Sequence, residues 1–224
     1  MTIRYGIIGT GMMGCEHIRN LAAMEGVDIT AIADPNEKPR DWGRSACGDR
    51  FAPEVYEDYR GLLARTDVDA VVVASPNYSH IDVMRDIFQT DKHVMLEKPM
   101  CTTITDCKEL VTSADQHPGM VWVGLEYRYM PPITATLQHL HTIGNIRMCA
   151  IREHRFPFLK KVGDWNRFNR NTGGTLVEKC CHFFDLMTQV IPSKPTRVIA
   201  SGGQDVNHLN ESYGGETPDI LDNA

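Results

Sequence analysis

The chain has 224 residues, of which 42% are hydrophobic and 23% charged, and this composition is ordinary for a globular protein. Its formal charge of −6 argues against a surface built for nucleic acid or anionic membranes, and no apolar run approaches the roughly 20 residues that span a bilayer. The N-terminus lacks a cleavable signal pattern, and the seven scattered cysteines do not form a disulfide framework, so we expect reduced thiols and a cytoplasmic location.

The first 125 residues alternate between strand and helix patterns. We predict strands at 3–9, 27–34, 69–76, 93–99 and 120–127, a short strand and helix after residue 54, and helices at about 13–24, 79–90 and 104–116. The segment DAVVVASP (69–76) is apolar almost throughout, as the central strands of parallel sheets are. This alternation predicts an α/β fold with a doubly wound parallel sheet of the Rossmann type.

The pattern changes beyond residue 127. After the punctuating segment MPPI (130–133) we predict a helix that runs to about 141, strands at 146–155 and 197–206, and a helix across 173–187. We therefore expect two domains, 1–125 and 126–224.

A glycine-rich turn follows the first strand and opens the first helix. It reads Gly9-Thr10-Gly11-Met12-Met13-Gly14. Its glycines permit a tight turn, a close approach of the backbone to a pyrophosphate, and packing of helix on strand, although the same motif alone is also an ordinary turn. Asp34 lies 20 residues after Gly14, at the end of the second strand, where it can bind a ribose 2′-hydroxyl. We predict a dinucleotide site that favours NAD over NADP, a preference that Arg40 and Arg44 could soften.

Two further strand ends carry polar residues. Ser75-Pro76-Asn77 follows one strand and Glu97-Lys98-Pro99 the next, and ligands of open α/β sheets lie outside the carboxyl ends of the strands. We therefore assign both segments to the cofactor site. We place His80 with them, as a residue that caps or buttresses the first of these turns. Alone, the second segment is equally a surface ion pair and a turn proline. In this position Lys98 could approach the nicotinamide and stabilise a developing alkoxide.

The segment GGTLVEKCCHFFDLM (173–187) concentrates polar residues on a predicted helix. Glu178 and His182 are four residues apart and Asp185 follows three later, so a single helix would carry them as one acid–histidine–acid stripe. An imidazole beside carboxylates suits a general acid/base, because it titrates near neutral pH. The alternatives are a structural histidine and a metal site. Two adjacent cysteines cannot both face one ion from a regular helix, so we expect no metal.

These segments together resemble the Gfo/Idh/MocA oxidoreductase family. The resemblance runs from GIIGTGMMG through SPNYSH, LEKPM and EYRYMPP to the helix at 173–187. It implies an NAD(P)-binding Rossmann domain followed by an α+β domain built on a mostly antiparallel sheet. That sheet forms the substrate site and usually the oligomer interface, so the resemblance implies a homo-oligomer. The reaction implied is oxidation or reduction of a secondary alcohol on a sugar, inositol or related polyol.

The resemblance also implies roles for individual residues. Lys98 matches the lysine of the family's Glu-Lys-Pro motif, and His182 the histidine usually assigned as proton acceptor. Asp185 matches the aspartate one turn later. Glu178 stands where inositol dehydrogenase-like members carry aspartate, and the extra methylene puts its role as a catalytic partner or substrate ligand in doubt.

Other candidate residues could instead have a purely structural role. Tyr127-Arg128-Tyr129 resembles the family segment that borders the nicotinamide and the substrate, although aromatic residues at a strand end are often packing residues. We assign Tyr127 to the substrate and Arg128 to the cofactor. Trp165 and Arg167 could bind a polyol, or they could fasten their own loop.

The sequence thus predicts an NAD-dependent dehydrogenase of a cyclitol, sugar or related polyol. Two alternatives remain open: an NAD-dependent glycoside hydrolase of the same family, and a non-catalytic NAD-binding regulator. The tail ETPDILDNA resembles the point at which family members enter further strands, so we expect the second domain to be truncated. An unfinished sheet would favour self-association.

Overall fold

The computed structural model describes residues 2–224 and divides into two compact units, one ending at Gly124 and one running from Leu125 to Ala224. The first unit is built on one parallel sheet in the order β3-β2-β1-β4-β5-β6. Its strands are β1 (Ile3–Ile8), β2 (Val27–Ala33), β3 (Glu54–Tyr56), β4 (Ala70–Val73), β5 (His93–Leu96) and β6 (Val121–Val123). The order reverses between β1 and β4, which confirms the predicted doubly wound fold.

Helices cover both faces of this sheet. They are α1 (Met12–Ala22), α2 (Glu37–Cys47), α3 (Tyr59–Leu63), α4 (His80–Ile87) and α5 (Ile104–Ala114). Neighbouring strand residues point to opposite faces, so Ile7 and Val72 pack in one core with α1 while Ile8 and Val73 pack in the other with α4. This two-sided burial explains why β4 is apolar along its whole length.

The second unit is helical in its regular parts. Its helices are α6 (Pro131–His139), α7 (Asn169–Thr172), α8 (Thr175–Glu178) and α9 (Cys181–Val190), with short 3₁₀ turns between them. The described residues of this unit form no strand ladder, and the one antiparallel bridge that involves a predicted strand joins Gly203 to Asn223.

The predicted strands at 146–155 and 197–206 are therefore not strands in the structure. Both segments have the β-branched and apolar residues of strands, yet Met148 is 83% and Ile199 88% exposed. Strand propensity expresses packing against a neighbour, and without a paired ladder it does not organise the backbone. The end of the chain is organised instead by Asp222, whose carboxylate accepts hydrogen bonds from the amides of Asp205, Val206 and Asn207.

Candidate active site

The glycine turn of the first unit has the geometry of a phosphate cradle. Gly9 has a φ of +88°, and a Cβ there would lie 2.6 Å from the amide nitrogen of Ser75. A Cβ at Gly14 would lie 1.9 Å from the carbonyl oxygen of Gly9, so α1 packs directly against the turn. A Cβ at Gly11 would meet nothing within 4 Å. The middle glycine thus leaves open space at the helix N-terminus, where backbone amides attract phosphate.

Asp34 lies beside this turn, as its spacing predicted. Its buried carboxylate accepts from the amide of Thr10 at 2.9 Å through Oδ2 and from the amide of Asn36 at 3.0 Å through Oδ1. Arg40 donates to the carbonyl oxygens of Asp34 and Pro35, at 2.8 and 3.0 Å. A fixed carboxylate at the end of β2 fits a ribose diol, so these residues suit an adenosine dinucleotide.

The turn after β4 is held together by its own side chains. Ser79 donates its hydroxyl to the Pro76 carbonyl at 2.7 Å, and its Oγ lies 2.8 Å from Ser75 Oγ. His80 is fully buried, with Nδ1 2.9 Å from the carbonyl oxygen of Pro99 and Nε2 3.1 Å from that of Ser75. His80 is therefore a buttress that joins two loops. Its place among the cofactor-contacting residues stays a prediction, and its ring contributes by holding these loops together.

The Glu-Lys-Pro segment directly follows β5. Glu97 is buried, its Oε2 accepts from the amide of Lys98 at 3.1 Å, and its Oε1 lies 2.6 Å from Nε2 of His17. Lys98 itself is half-buried. His17 was not among the residues predicted for the site. Its only signal was a position in the second turn of the helix that the glycine motif opens.

In the second unit His182 is buried to 99% of its surface in the first turn of α9. The ring of Tyr127 stacks on its imidazole, with centroids 4.1 Å apart and planes 10° from parallel. Glu126 brings Oε1 to 3.5 Å from His182 Nε2. An imidazole covered by an aromatic ring and flanked by a carboxylate can exchange a proton with a bound hydroxyl.

The helix predicted across 173–187 is interrupted, so the proposed continuous stripe of acid, histidine and acid was wrong. The amide of Cys180 bonds to the carbonyl of Thr175, five residues back, and that of His182 to the carbonyl of Lys179, three residues back. This change of hydrogen-bond spacing separates α8, which ends at the buried Glu178, from α9. Such interruptions recur at functional sites and re-aim the side chains that follow.

Asp185 has a different neighbour from the one predicted. Its carboxylate forms a bidentate ion pair with Arg128, in which Arg128 Nε donates to Oδ2 at 2.6 Å. The hydrogen bond that Arg128 donates to Asp185 raises the pKa of the Arg128 guanidinium. The structure thus places Arg128, which we had assigned to the cofactor, in a pair that fastens the 126–129 turn to α9.

Lys179 is a second residue that the sequence reasoning missed. Its ammonium hydrogen-bonds to the hydroxyl of Tyr127, lies 4.6 Å from the centroid of that ring, and pairs with Glu153 Oε1 at 3.2 Å. These contacts hold Tyr127 over His182. In the sequence Lys179 directly precedes the two adjacent cysteines, and no motif marked it as a site residue.

Those cysteines show no sign of reactivity. Burial raises the pKa of the Cys180 thiol, and Cys181 Sγ lies 3.6 Å from the carbonyl oxygen of Glu178. Within residues 2–224 no group of three histidine, cysteine or acidic side chains is arranged to hold a metal ion. No helix in that range combines the length and apolar character needed to cross a membrane.

Arg167 and Trp165 belong to the loop before α7. Arg167 is 2% exposed, and its Nε donates to Glu211 Oε2 at 2.9 Å. Trp165 is half-buried, and its carbonyl accepts from Asn171 Nδ2 at 2.9 Å. For Arg167 the structure favours a structural role, because its guanidinium holds its loop to Glu211.

Family models match most of the chain. The model described as "oxidoreductase family, NAD-binding Rossmann fold" (GFO_IDH_MocA) matches residues 3–125. A second, described as "oxidoreductase family, C-terminal alpha/beta domain", matches residues 139–221. Both stretches fall within the described residues, and together they include the glycine turn, Lys98 and His182.

Two curated proteins and one solved structure are among those similar to this chain. Inositol 2-dehydrogenase of Salmonella paratyphi B is 36% identical over 135 residues, which are 58% of this chain and 38% of that protein. The 2,7-anhydro-N-acetylneuraminate hydratase of Mediterraneibacter gnavus is 26% identical over 217 residues, 96% of this chain and 56% of that protein. The crystal structure of Lactobacillus casei myo-inositol dehydrogenase with NAD(H) and myo-inositol has a TM-score of 0.58 at 32% identity, covering 63% of this chain and 42% of that one. This chain therefore spans well under two thirds of the length of each.

Proposed function

Because the chain belongs to the Gfo/Idh/MocA oxidoreductase family, we propose that it transfers a hydride between a secondary alcohol of a cyclitol, sugar or related polyol and NAD. The observation that carries this proposal is the environment of His182. A buried imidazole with a stacked aromatic ring and a carboxylate 3.5 Å away is costly to build for structure alone and is suited to proton transfer. The solved relative with NAD(H) and myo-inositol supports the substrate class.

The first unit supplies the cofactor side. The turn at Gly9, Gly11 and Gly14 would hold the pyrophosphate, and Asp34 the adenosine ribose. When bound, the nicotinamide ring provides the hydride acceptor. A carboxylate at Asp34 repels a 2′-phosphate, so we propose NAD rather than NADP. Arg40 does not reverse this preference, because its guanidinium is engaged with the carbonyl oxygens of Asp34 and Pro35.

Two side chains, His182 and Lys98, have the proposed chemical roles. His182 takes the proton of the reacting hydroxyl, and Glu126 stabilises the imidazolium that results. Lys98 stabilises the negative charge that develops on the substrate oxygen. Glu178 and Trp165 remain candidate substrate residues. Asp185 acts through Arg128 rather than on His182.

A second candidate function has a specific observation in its favour. A relative that aligns with 96% of this chain is named a 2,7-anhydro-N-acetylneuraminate hydratase. A reaction without net oxidation, such as the NAD-dependent cleavage of a glycoside, would use the same base and cofactor. A purely regulatory NAD-binding role is less favoured, since a sensor needs neither Lys98 nor His182.

One experiment separates these functions. The purified protein is incubated with NAD or NADP and a panel of inositols, sugars, glycosides and anhydro sugars, and both the absorbance of reduced cofactor and the product are followed. Stoichiometric NADH supports the dehydrogenase, product without net NADH supports the second candidate, and NAD binding with neither supports the regulator. A cytoplasmic location and a homo-oligomer stay predictions of the sequence.

A further inference from the structure

The carboxylate of Glu97 is held from two sides. His17 Nε2 lies 2.6 Å from Oε1, and the amide of Lys98 donates to Oε2 at 3.1 Å. The His17 and Glu97 side chains are 17% and 8% exposed, so little water competes for these bonds. His17 lies in the second turn of α1, the helix that begins at the glycine turn. One hydrogen bond thus joins the cofactor helix to the residue that precedes Lys98.

The residue that follows Lys98 is held as well. The carbonyl of Pro99 is 2.9 Å from Nδ1 of the fully buried His80, whose other ring nitrogen lies 3.1 Å from the carbonyl of Ser75. Both neighbours of Lys98 are therefore tied to segments that begin at the cofactor turn or at the end of β4. The contact through His17 involves the carboxylate of Glu97, whereas the contacts through His80 involve backbone carbonyls.

The electrostatics of the first tie follow from this geometry. Burial alone would raise the pKa of Glu97, but the hydrogen bond from His17 and the charges of His17 and Lys98 lower it below its ordinary value. Glu97 is thus an anion at neutral pH, and His17 and Lys98 both act on it. Because His17 binds the carboxylate of Glu97, it weakens the electrostatic attraction between that carboxylate and the ammonium of Lys98.

We propose that His17 is a positioning residue for Lys98. By binding Glu97 it links the helix that starts at the cofactor turn to the segment that carries Lys98, and it keeps Glu97 from drawing the lysine ammonium toward itself. The proposal rests on the proposed function only in assigning Lys98 to the reacting oxygen. A merely structural His17 would stabilise α1 without changing the state of Lys98, and this difference can be measured.

The first test reads Lys98 without needing any substrate. Trace acetylation by acetic anhydride, quantified by peptide mass spectrometry, reports how readily the amine of Lys98 reacts at neutral pH. With His17→Leu, Glu97 loses its partner and holds the ammonium more strongly, so Lys98 should acetylate at least about threefold more slowly. His17→Gln keeps an N–H donor and should fall between this variant and the wild type. Unchanged acetylation of Lys98 in a folded His17→Leu protein would overturn the proposal.

A matched histidine and a second background complete this test. His117 bonds to the carbonyl of Lys92 at 2.8 Å, at the opposite end of β5, so His117→Gln should leave Lys98 at the wild-type rate. Glu97→Gln removes the charge and should speed acetylation, and His17→Leu added to it should change nothing further. A slowing of equal size in that background would also overturn the proposal, because the effect would not pass through Glu97. If His17→Leu alone does not fold, Glu97→Gln can still be compared with the double variant that also carries His17→Leu.

The second test uses turnover. His17→Leu should lower kcat about tenfold while the Kd for NAD stays within about twofold, and in a Lys98→Met background it should lower kcat no further. Equal losses in both backgrounds would identify a structural residue. If the wild type turns over no polyol but the acetylation pattern holds, then the proposed function fails while the positioning of Lys98 by His17 stands.

Discussion

Tyr127 lies flat on His182, with ring centroids 4.1 Å apart and planes 10° from parallel. The stack covers one face of the imidazole, and Lys179 holds Tyr127 through its hydroxyl and its ring. The orientation of the His182 ring is thus supported by a neighbour from a different segment of the chain. Aromatic stacks of this kind contribute about 0.5–1.5 kcal/mol beyond the area they bury.

Two variants of Tyr127 should separate the stack from the hydroxyl. Tyr127→Ala removes the cover of His182 and should lower kcat by about tenfold, because the base is no longer oriented. Tyr127→Phe keeps the ring and loses only the bond to Lys179, so its loss should be several-fold smaller. The measurement is initial rate against substrate with NAD saturating. Equal losses in the two variants would mean that the hydroxyl, and not the stack, matters.

Removal of either proposed catalytic group should abolish most turnover. His182→Ala and Lys98→Met should each lower kcat by at least roughly 10²-fold with NAD affinity changed only a few-fold, since His182 is the proposed base and Lys98 the proposed stabiliser of developing negative charge. The double substitution Cys180→Ser with Cys181→Ser is the control and should leave the chemistry intact. Near-normal turnover in His182→Ala would remove it as the base.

The cofactor preference should depend on Asp34. The wild type is expected to bind NAD more tightly than NADP, and Asp34→Ala should narrow the gap by removing both the ribose contact and the repulsion of a 2′-phosphate. Calorimetric titration with both dinucleotides measures this. Arg85→Ala is a suitable control, because Arg85 is exposed and pairs with Glu109 at 2.6 Å. Tighter binding of NADP by the wild type would contradict the prediction.

The stability of the first unit should fall as the solution is acidified below neutrality. Burial lowers the pKa of His80, an effect that its two carbonyl contacts and Glu97 only partly offset. The unfolded chain, with an ordinary histidine pKa of about 6.5, therefore binds a proton that the folded state excludes, and stability is lost as pH falls through that value. Glu97 does not titrate in this window, since its pKa is lowered.

Hydrogen exchange of the β4 amides at pH 7.5 and 5.5, corrected for intrinsic rates, measures this loss. His80→Gln should be less stable at pH 7.5 and should show a smaller dependence on pH. His117→Gln is a matched control. An equal pH dependence in wild type and His80→Gln would exclude His80 as its source.

Arg167 should matter for stability and not for substrate binding. Its buried guanidinium pairs with Glu211, which also accepts from the hydroxyl of Tyr213 at 2.7 Å. Arg167→Ala should cost about 1.5–3 kcal/mol in the free energy of unfolding, as loss of a buried hydrogen bond to a charge does. Denaturant titration gives this value. A raised KM for polyol with unchanged stability would restore Arg167 to the substrate site.

The sequence by itself determined the first unit and its cofactor end. The glycine turn, the apolar β4 and the placement of Asp34 are local patterns, because strand and helix periodicity and the needs of a tight turn act over a few residues. They predicted the α/β class, the family and the position of Lys98. The strands predicted at 146–155 and 197–206 failed for the complementary reason, since a strand depends on a partner that its own residues do not specify.

Only the tertiary structure decided which residues surround the reactive groups. Asp185 pairs with Arg128, 57 residues away, and His17 reaches Glu97 across 80 residues. His182 is flanked by Glu126 and Tyr127, whereas helical spacing had offered Glu178 and Asp185. Spacing along a helix predicts neighbours only while the hydrogen-bond repeat is regular, and here it changes between Glu178 and His182. The identity of a proton partner is set by contacts between distant segments, because these fix the distances on which charge interactions depend.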